Sequence, residues 1–436
     1  MWTCCGASNS RAFVEATSPC LEKTVAMATH ALLLGIAVIQ IGTASFELRH
    51  VSGCLSMLMK RGRNPDGRPP VCPVCKRKMI GMGLGVGVCP DCIRDRWKES
   101  QCRVAAIHAR SRREFQLPVR PPMTPGGLRC DLCFLRCQMG PDEKGYCGVR
   151  TGTAESFRRD GRDRALASYY FDPIPTNCVA DWVCPGGTGA GFPKYAHDRG
   201  PEAGYYNLAV FFESCNLNCL FCQNASFKRS HIVKPASTWR SVEELARTVT
   251  DRTSCICFFG GDPIPQLPYA LRAAERAKEL NPGRILRICW ETNGGAHPAW
   301  LKRMARISME TGGCVKVDLK AWHPNIHRAL CGFDNSRILR NFALLARWAK
   351  LRPDPPLVVA STLLTPGYVG EEDVWHLASF IAGLNPDIPY VLLAFAPQFR
   401  MEDFPTTSKA QAEACLDAAQ RAGLRYVQLA NRHLLS

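Results

Sequence analysis

From residue 207 onward the chain alternates short apolar runs with helical stretches, and this alternation restricts the fold more than any other feature. The apolar runs lie at 207–212, 254–259, 285–290, 314–319, 357–364, 390–396 and 426–429. Helical patterns lie between them at 241–251, 266–280, 299–309, 338–350, 371–381 and 409–422. Strands that alternate with helices can pair only in parallel, with the helices packed outside the sheet. The class is therefore α/β, and six or seven such units make a partial or full (β/α) barrel. Chemistry in such folds sits at the C-terminal ends of the strands.

Those ends are where the polar residues gather. The first run leads into Cys215, Cys219 and Cys222, and the second ends in Gly260-Gly261-Asp262-Pro263. The third ends in Glu291-Thr292-Asn293-Gly294-Gly295, the fourth in Asp318-Leu319-Lys320, and the fifth in Thr365-Pro366-Gly367. One polar ending is ordinary loop chemistry. A series of them on consecutive strands, all on one rim, points to a site.

The cysteines at 215, 219 and 222 are spaced C-x3-C-x2-C. Three thiolates on one short loop can hold three irons of a [4Fe-4S] cube and leave the fourth iron open to a small molecule. An open coordination position is the mark of a catalytic metal centre. The competing readings are a zinc knuckle short of one ligand, and buried thiols packing as small hydrophobes.

Upstream, Cys72-x2-Cys75 and Cys89-x2-Cys92 flank a glycine-rich stretch. Four soft thiolates on two tight turns make a tetrahedral structural zinc site, a zinc ribbon. A basic helical connector follows over 94–120. Cys130, Cys133, Cys137 and Cys147 form another set, for zinc or for an auxiliary iron–sulfur cluster. Cys178 and Cys184 carry no assigned role. The stretch from Pro185 to Gly191 lacks the Gly-Lys-Ser/Thr ending of an ATP loop, and reads as close-approach backbone near the active site. The expected division is an N-terminal extension at 1–60, the ribbon and connector at 61–124, a cysteine-rich pre-barrel region at 125–200, and the barrel at 201–436.

The chain has 436 residues, of which 46% are hydrophobic, enough for a sizeable core. Its 24 cysteines, many in C-x2-C pairs, favour metal ligation in a reducing compartment, which implies a cytoplasmic protein. The formal charge is +17, and residues 60–170 hold about 12 of it. A solvated basic face or an acidic partner such as RNA fits that excess. Residues 25–46 are apolar enough to be considered as a membrane span, but His30 and Gln40 weaken them, and a membrane anchor is not expected. Residues 1–56 also read as an upstream extension, with the functional protein starting near Met57 or Met59.

Together these motifs resemble the radical SAM superfamily, and within it the branch similar to pyruvate formate-lyase activating enzyme. The resemblance covers roughly residues 125–432. It implies that Cys215, Cys219 and Cys222 hold a [4Fe-4S] cluster whose open iron chelates S-adenosylmethionine. It implies that Phe221 lies against the adenine. The Gly260, Gly261 and Asp262 motif would accept the ammonium group, glycine letting the cofactor approach the backbone. Glu291, Thr292 and Asn293 resemble the activases' Asp-Thr-Asn-Gly, and Asp318 with Lys320 their Asp-Leu-Lys, where Lys neutralises the methionine carboxylate. The chain departs from the activases in two places. In Leu392-Leu393-Ala394-Phe395-Ala396-Pro397 an alanine stands at the place where they carry a histidine, and Lys316 stands where they carry an apolar residue. In the activases a monovalent cation sits near the Asp/Thr pair, and the Lys316 ammonium is expected to replace it, since Glu291 and Asp318 would otherwise repel each other nearby. The resemblance also implies a low-potential electron donor of flavodoxin or ferredoxin type, and a protein substrate if the chain activates a glycyl radical enzyme. Fold and cofactor motifs do not select the substrate. The competing class is a zinc-ribbon binding protein with a non-catalytic barrel.

Overall fold

The computed structural model describes residues 71–78, 85–176, 178–232 and 239–436. The stretches considered above as membrane span and upstream extension lie outside them. Among the described residues, no helix is long and apolar enough to cross a membrane.

One nine-stranded sheet organises the chain. Seven strands run parallel: β4 (Tyr206–Phe212), β6 (Thr253–Gly260), β7 (Arg287–Thr292), β8 (Val315–Asp318), β9 (Val358–Leu364), β10 (Tyr390–Ala394) and β11 (Val427–Ala430). All seven expected strands are present. Two more were not legible: β3 (Arg164–Pro173) pairs antiparallel with β4, and β5 (Trp239–Ser241) pairs antiparallel with β3. The sheet therefore starts upstream of the boundary expected at 201. Its order ends at β11 on one side and β5 on the other, so the barrel is partial. It is curled nonetheless, because Phe259 on β6 and Leu393 on β10 line one cavity.

Side-chain alternation divides each strand between two environments. On β6, Ile256 and Phe258 are buried in the main core, while Cys255, Cys257 and Phe259 line cavities inside the curl. On β7, Trp290 stacks on Phe258 with ring centroids 4.8 Å apart, and its indole N–H reaches Ser308 Oγ at 3.0 Å. Its neighbours Cys289 and Glu291 face inward. Each fully buried large apolar side chain on the outer face stabilises the fold by about 1.5–3 kcal/mol, before entropy is counted.

The helices cover that outer face: α5 (Val242–Arg247), α6 (Leu267–Leu280), α7 (Pro298–Thr311), α8 (Pro324–Cys331), α9 (Ser336–Ala349), α10 (Glu371–Leu384) and α11 (Lys409–Arg421). Their ends follow local chemistry. Ser241 and Glu244 cap α5 reciprocally. Helix α7 begins at Pro298 and stops at Gly312, whose φ of 79° suits only glycine. Helix α8 lies outside the expected helices; two Pro-started turns of chain gave too short a pattern.

Two smaller modules sit at the C-terminal ends of the strands. The ribbon leads through α1 (Pro90–Asp95) into α2 (Trp97–Arg113). Arg94 bonds the Tyr368 carbonyl and Asp373, both at 2.9 Å, and Tyr368 donates to the Val88 carbonyl at 2.7 Å. Strands β1 (Leu128–Arg129) and β2 (Gln138–Met139) form a small hairpin around the next cysteine set. That segment is tied to the loop after β7, where Phe134 N donates to the Gly295 carbonyl and His297 N to that of Leu132.

One expectation is overturned by this layout. The 185–191 glycine stretch forms the short turn α4 (Pro185–Thr188) at the N-terminal rim, opposite the cysteine triplet. Gly186 lies beside Arg287, the first residue of β7. The glycines are needed there because a Cβ at Gly187 would overlap the Asp181 carbonyl, and one at Gly189 would overlap Arg199.

Candidate active site

Cys215, Cys219 and Cys222 open onto a cavity of about 180 Å3 at the C-terminal ends of the strands. The loop that carries them is held by backbone bonds: Asn218 N to the Cys331 carbonyl at 3.0 Å, and Leu220 N to that of Leu330 at 2.8 Å. Buried Asn218 is the loop's internal anchor. Its Nδ2 donates to His108 Nδ1 at 2.9 Å, and its Oδ1 accepts from Lys228 Nζ at 2.7 Å. Lys228 was not legible as a site residue, since nothing marks it among the surface lysines and arginines. Only the short helix at Ala225–His231 turns it inward, to 1% exposure. Burial pushes its ammonium pKa down to about 8, against the raising effect of the Cys222 charge.

All the expected cofactor residues line the same cavity: Phe221, Gly260, Gly261, Asp262, Glu291, Thr292, Asn293, Asp318 and Lys320. The geometry gives the glycines a reason of its own. A Cβ at Gly261 would overlap the Ser214 carbonyl, and Gly260 has φ of 104° against Phe212. Both are required by the close approach of β6 to the loop after β4. The Asp262 carboxylate is used internally. It accepts from Asn293 N at 2.7 Å, Ile264 N at 2.9 Å and Thr292 Oγ1 at 3.1 Å, stapling the end of β6 to that of β7. Burial pushes its pKa up to about 7, against those three donors.

Lys316 is 2% exposed, and its Nζ pairs with Glu291 Oε1 at 2.9 Å. This places the ammonium beside Glu291, where a cation was expected. Asp318 pairs with Lys320 Nζ at 2.8 Å and accepts from Ser361 Oγ at 2.5 Å. The other Lys316 bonds run inward, to Cys178 Sγ at 2.9 Å and Cys257 Sγ at 3.1 Å. Burial alone would lower the Lys316 pKa; the charges of Cys178, Cys257 and Glu291 outweigh it and hold it well above the usual lysine range. The Glu291–Lys316 pair is thus the floor of the cavity. Below it lies a smaller chamber lined by Cys178, Cys184, Cys255, Cys257, Cys289 and Cys314. The role of Cys178 was not legible because its partners come from strands more than 70 residues away.

The Sγ atoms of Cys72, Cys75, Cys89 and Cys92 all lie within 4.8 Å of one another, close enough to hold a metal ion. Cys130, Cys133, Cys137 and Cys147 line a separate, small cavity.

Residues 209–381 match the family model described as the Radical SAM superfamily. The chain carries a radical SAM domain. That domain spans the cysteine triplet, the Gly-Gly-Asp-Pro motif, and the ends of β7 to β9. No curated protein matches the chain. Among solved structures, a domain of pyruvate-formate lyase-activating enzyme from Bacteroides vulgatus is 19% identical, with 40% of this chain and 98% of that one covered and a TM-score of 0.33. Streptococcus suis SuiB bound to precursor peptide SuiA is 12% identical, with 50% and 47% covered and a TM-score of 0.38. A radical SAM methyltransferase from Sphaerobacter thermophilus is 16% identical, with 52% and 66% covered and a TM-score of 0.38. The chain spans about half the length of SuiB.

Proposed function

We propose that this chain is a radical SAM enzyme, with a [4Fe-4S] cluster on Cys215, Cys219 and Cys222 and S-adenosylmethionine in the cavity beside it. The observation that carries the reading is that three thiolates share one cavity with a preformed set of charged and hydroxyl groups. The donor set suits the cluster. It is all soft sulfur, its sulfurs are not drawn together as around a single ion, and Asn293 Nδ2 lies 3.8 Å from Cys215 Sγ. When bound, the cluster supplies one electron that breaks the S–C5′ bond, giving a 5′-deoxyadenosyl radical that abstracts hydrogen from a substrate.

The chain's own residues bind and orient. Lys320 is the cation for the methionine carboxylate, and its pairing with Asp318 fixes it before the ligand arrives. Ser361 holds Asp318 in turn, and Phe221, 4% exposed, offers an apolar wall for the adenine. Asp262 acts as a positioning residue through Thr292 and Asn293. The Glu291–Lys316 floor closes the cavity from below.

The test is anaerobic reconstitution, chemical reduction in the presence of S-adenosylmethionine, and assay for 5′-deoxyadenosine. The variant with Cys215, Cys219 and Cys222 changed to alanine is the control. No product from the parent, or equal product from the variant, would leave the alternative of a zinc-ribbon binding protein with a non-catalytic barrel. Lys320→Met should raise the half-saturating S-adenosylmethionine concentration about 10- to 100-fold, the worth of one charge-assisted contact. The activase-like motifs make a glycyl radical enzyme the first protein substrate to try. Its product would be a protein glycyl radical seen by electron paramagnetic resonance.

A further inference from the structure

Cys130, Cys133, Cys137 and Cys147 are not explained by S-adenosylmethionine cleavage, which needs only the triplet. Their surroundings identify an occupant. A zinc ion with Zn–S bonds of about 2.3 Å draws four sulfurs to roughly 3.8 Å of one another. The ribbon cysteines are arranged in that way, with Cys75 and Cys89 Sγ 3.7 Å apart. Among the described residues, no other three cysteine, histidine or carboxylate ligand atoms converge within 4.8 Å. The four sulfurs stand apart around a cavity instead, as they must when each binds a different iron or shares a larger core.

The cavity is also lined by two buried groups with unused donors. Asn216 is 0% exposed and its Nδ2 has no hydrogen-bond partner; Arg150 is 3% exposed and its Nη2 has none. The Asn216 amide orientation is fixed by a chain of bonds. Gly295 N donates to Asn293 Oδ1, and Asn293 Nδ2 donates to Asn216 Oδ1 at 2.8 Å, so Asn216 Nδ2 is the free end. Arg150 spends Nη1 on the Pro265 carbonyl at 2.7 Å. Charge points the same way. Arg150 and Arg112 are both buried and bond only carbonyl oxygens, and Arg112 lies 3.5 Å over the ring of cavity-lining Tyr146. Two buried guanidinium groups without a carboxylate call for an anion. Thiols packed as apolar side chains would supply neither the anion nor acceptors for the free donors.

We propose that Cys130, Cys133, Cys137 and Cys147 hold a second iron–sulfur cluster, a complete four-thiolate [4Fe-4S] centre. Asn216 Nδ2 and Arg150 Nη2 donate to its sulfur atoms, and Arg150 and Arg112 balance its negative charge. All four irons are ligated by protein, so this centre does not chelate S-adenosylmethionine. The path to the first cluster is short in bonds: Asn216 and Asn293 link the second cavity to Cys215.

The experiment counts metals in the full chain after anaerobic reconstitution. The parent should hold about eight irons and eight sulfides. The variant lacking Cys215, Cys219 and Cys222 should retain about half of both, with thiolate-to-iron absorbance, and its paramagnetic signal on reduction should not shift when S-adenosylmethionine is added. About four irons in the parent, or a second zinc and no iron in the triplet variant, overturns the proposal. Arg150→Met in the triplet background should keep the iron and move the midpoint potential to a more negative value, because a donor to cluster sulfur is lost. An unchanged potential overturns the role of Arg150. Metal counts and 5′-deoxyadenosine yield fail separately. Eight irons without cleavage defeats only the proposed activity, and cleavage with four irons defeats only the second cluster.

Discussion

At the residue scale, the site depends on positions where one atom too many has nowhere to go. Gly261 meets the Ser214 carbonyl, which is backbone and cannot rotate aside. Gly261→Ala should therefore destabilise the chain by about 3 kcal/mol and lower iron retention after reconstitution, read by denaturant unfolding and iron assay. His108 is a second such position. Its Nε2–H donates to the Ala329 carbonyl and its Nδ1 accepts from Asn218, so only the neutral ring fits. Burial, with help from Lys228 and Arg112, pushes its pKa down to about 4. The unfolded ring titrates near 6.5. Stability from this group is complete above that pH. Below it the unfolded chain takes a proton that the folded chain declines, and stability falls by about 1.4 kcal/mol per pH unit until about pH 4. His108→Gln should make the unfolding free energy flatter by about 2 kcal/mol between pH 6.5 and 5.

At the element scale, Cys72, Cys75, Cys89 and Cys92 lie close enough to hold a metal ion, and the segment that carries them is tied to the barrel. Cys89 caps α1 by accepting from Cys92 N at 3.4 Å, so the same sulfurs that can bind a metal also start the helix. Helix α1 presents Arg94 to Asp373, whose other oxygen accepts from Trp322 N and His323 N after β8. Replacing Cys72 and Cys75 by serine should remove one zinc per chain and raise amide exchange over 86–95, measured by metal analysis and hydrogen exchange. An unchanged zinc content would disprove the ribbon as the zinc site. The antiparallel strands β3 and β5 show the limit of pattern reading. Strand β3 does not alternate: Ala165, Leu166 and Ala167 are all buried, while Tyr170 and Phe171 are both exposed. A run that is half exposed aromatic gives no clear period.

At the scale of the whole molecule, the curled sheet is arranged along its axis. The cavity at the cysteine triplet lies at the strand C-terminal ends, the Glu291–Lys316 pair beneath it, the thiol chamber below that, and a buried ion pair at the far end. There Arg287 Nη1 and Nη2 bond Glu202 Oε1 and Oε2 at 2.8 and 2.6 Å, with further bonds to Tyr195 O and Ser254 Oγ. Burial alone would raise the Glu202 pKa, but Arg287 outweighs it and holds it below the usual range. Arg287→Met should cost about 3–5 kcal/mol, because it leaves Glu202 buried and unpaired. The double change with Glu202→Gln should recover part of that loss, both read by denaturant unfolding.

The sequence by itself determined the parallel α/β class, the seven parallel strands, the rim on which the site lies, and the residues that line it. Those features are written locally. Periodicity separates strand from helix within a few residues, and thiolate spacing on one loop is fixed by covalent geometry. Tertiary structure decided what each residue spends its bonds on. Asp262 faces Thr292 and Asn293, and Lys316 reaches Cys178 and Cys257 besides Glu291. Lys228 turns in to Asn218, and the glycines of 260–261 make room for the loop after β4. The same holds for Cys130, Cys133, Cys137 and Cys147, whose spacing fits zinc or iron equally well. Their separation in space, and the unpaired donors of Asn216 and Arg150 beside them, favour iron. Such pairings depend on which strand lies next to which and how far the sheet curls, and those distances are set only when the whole core closes.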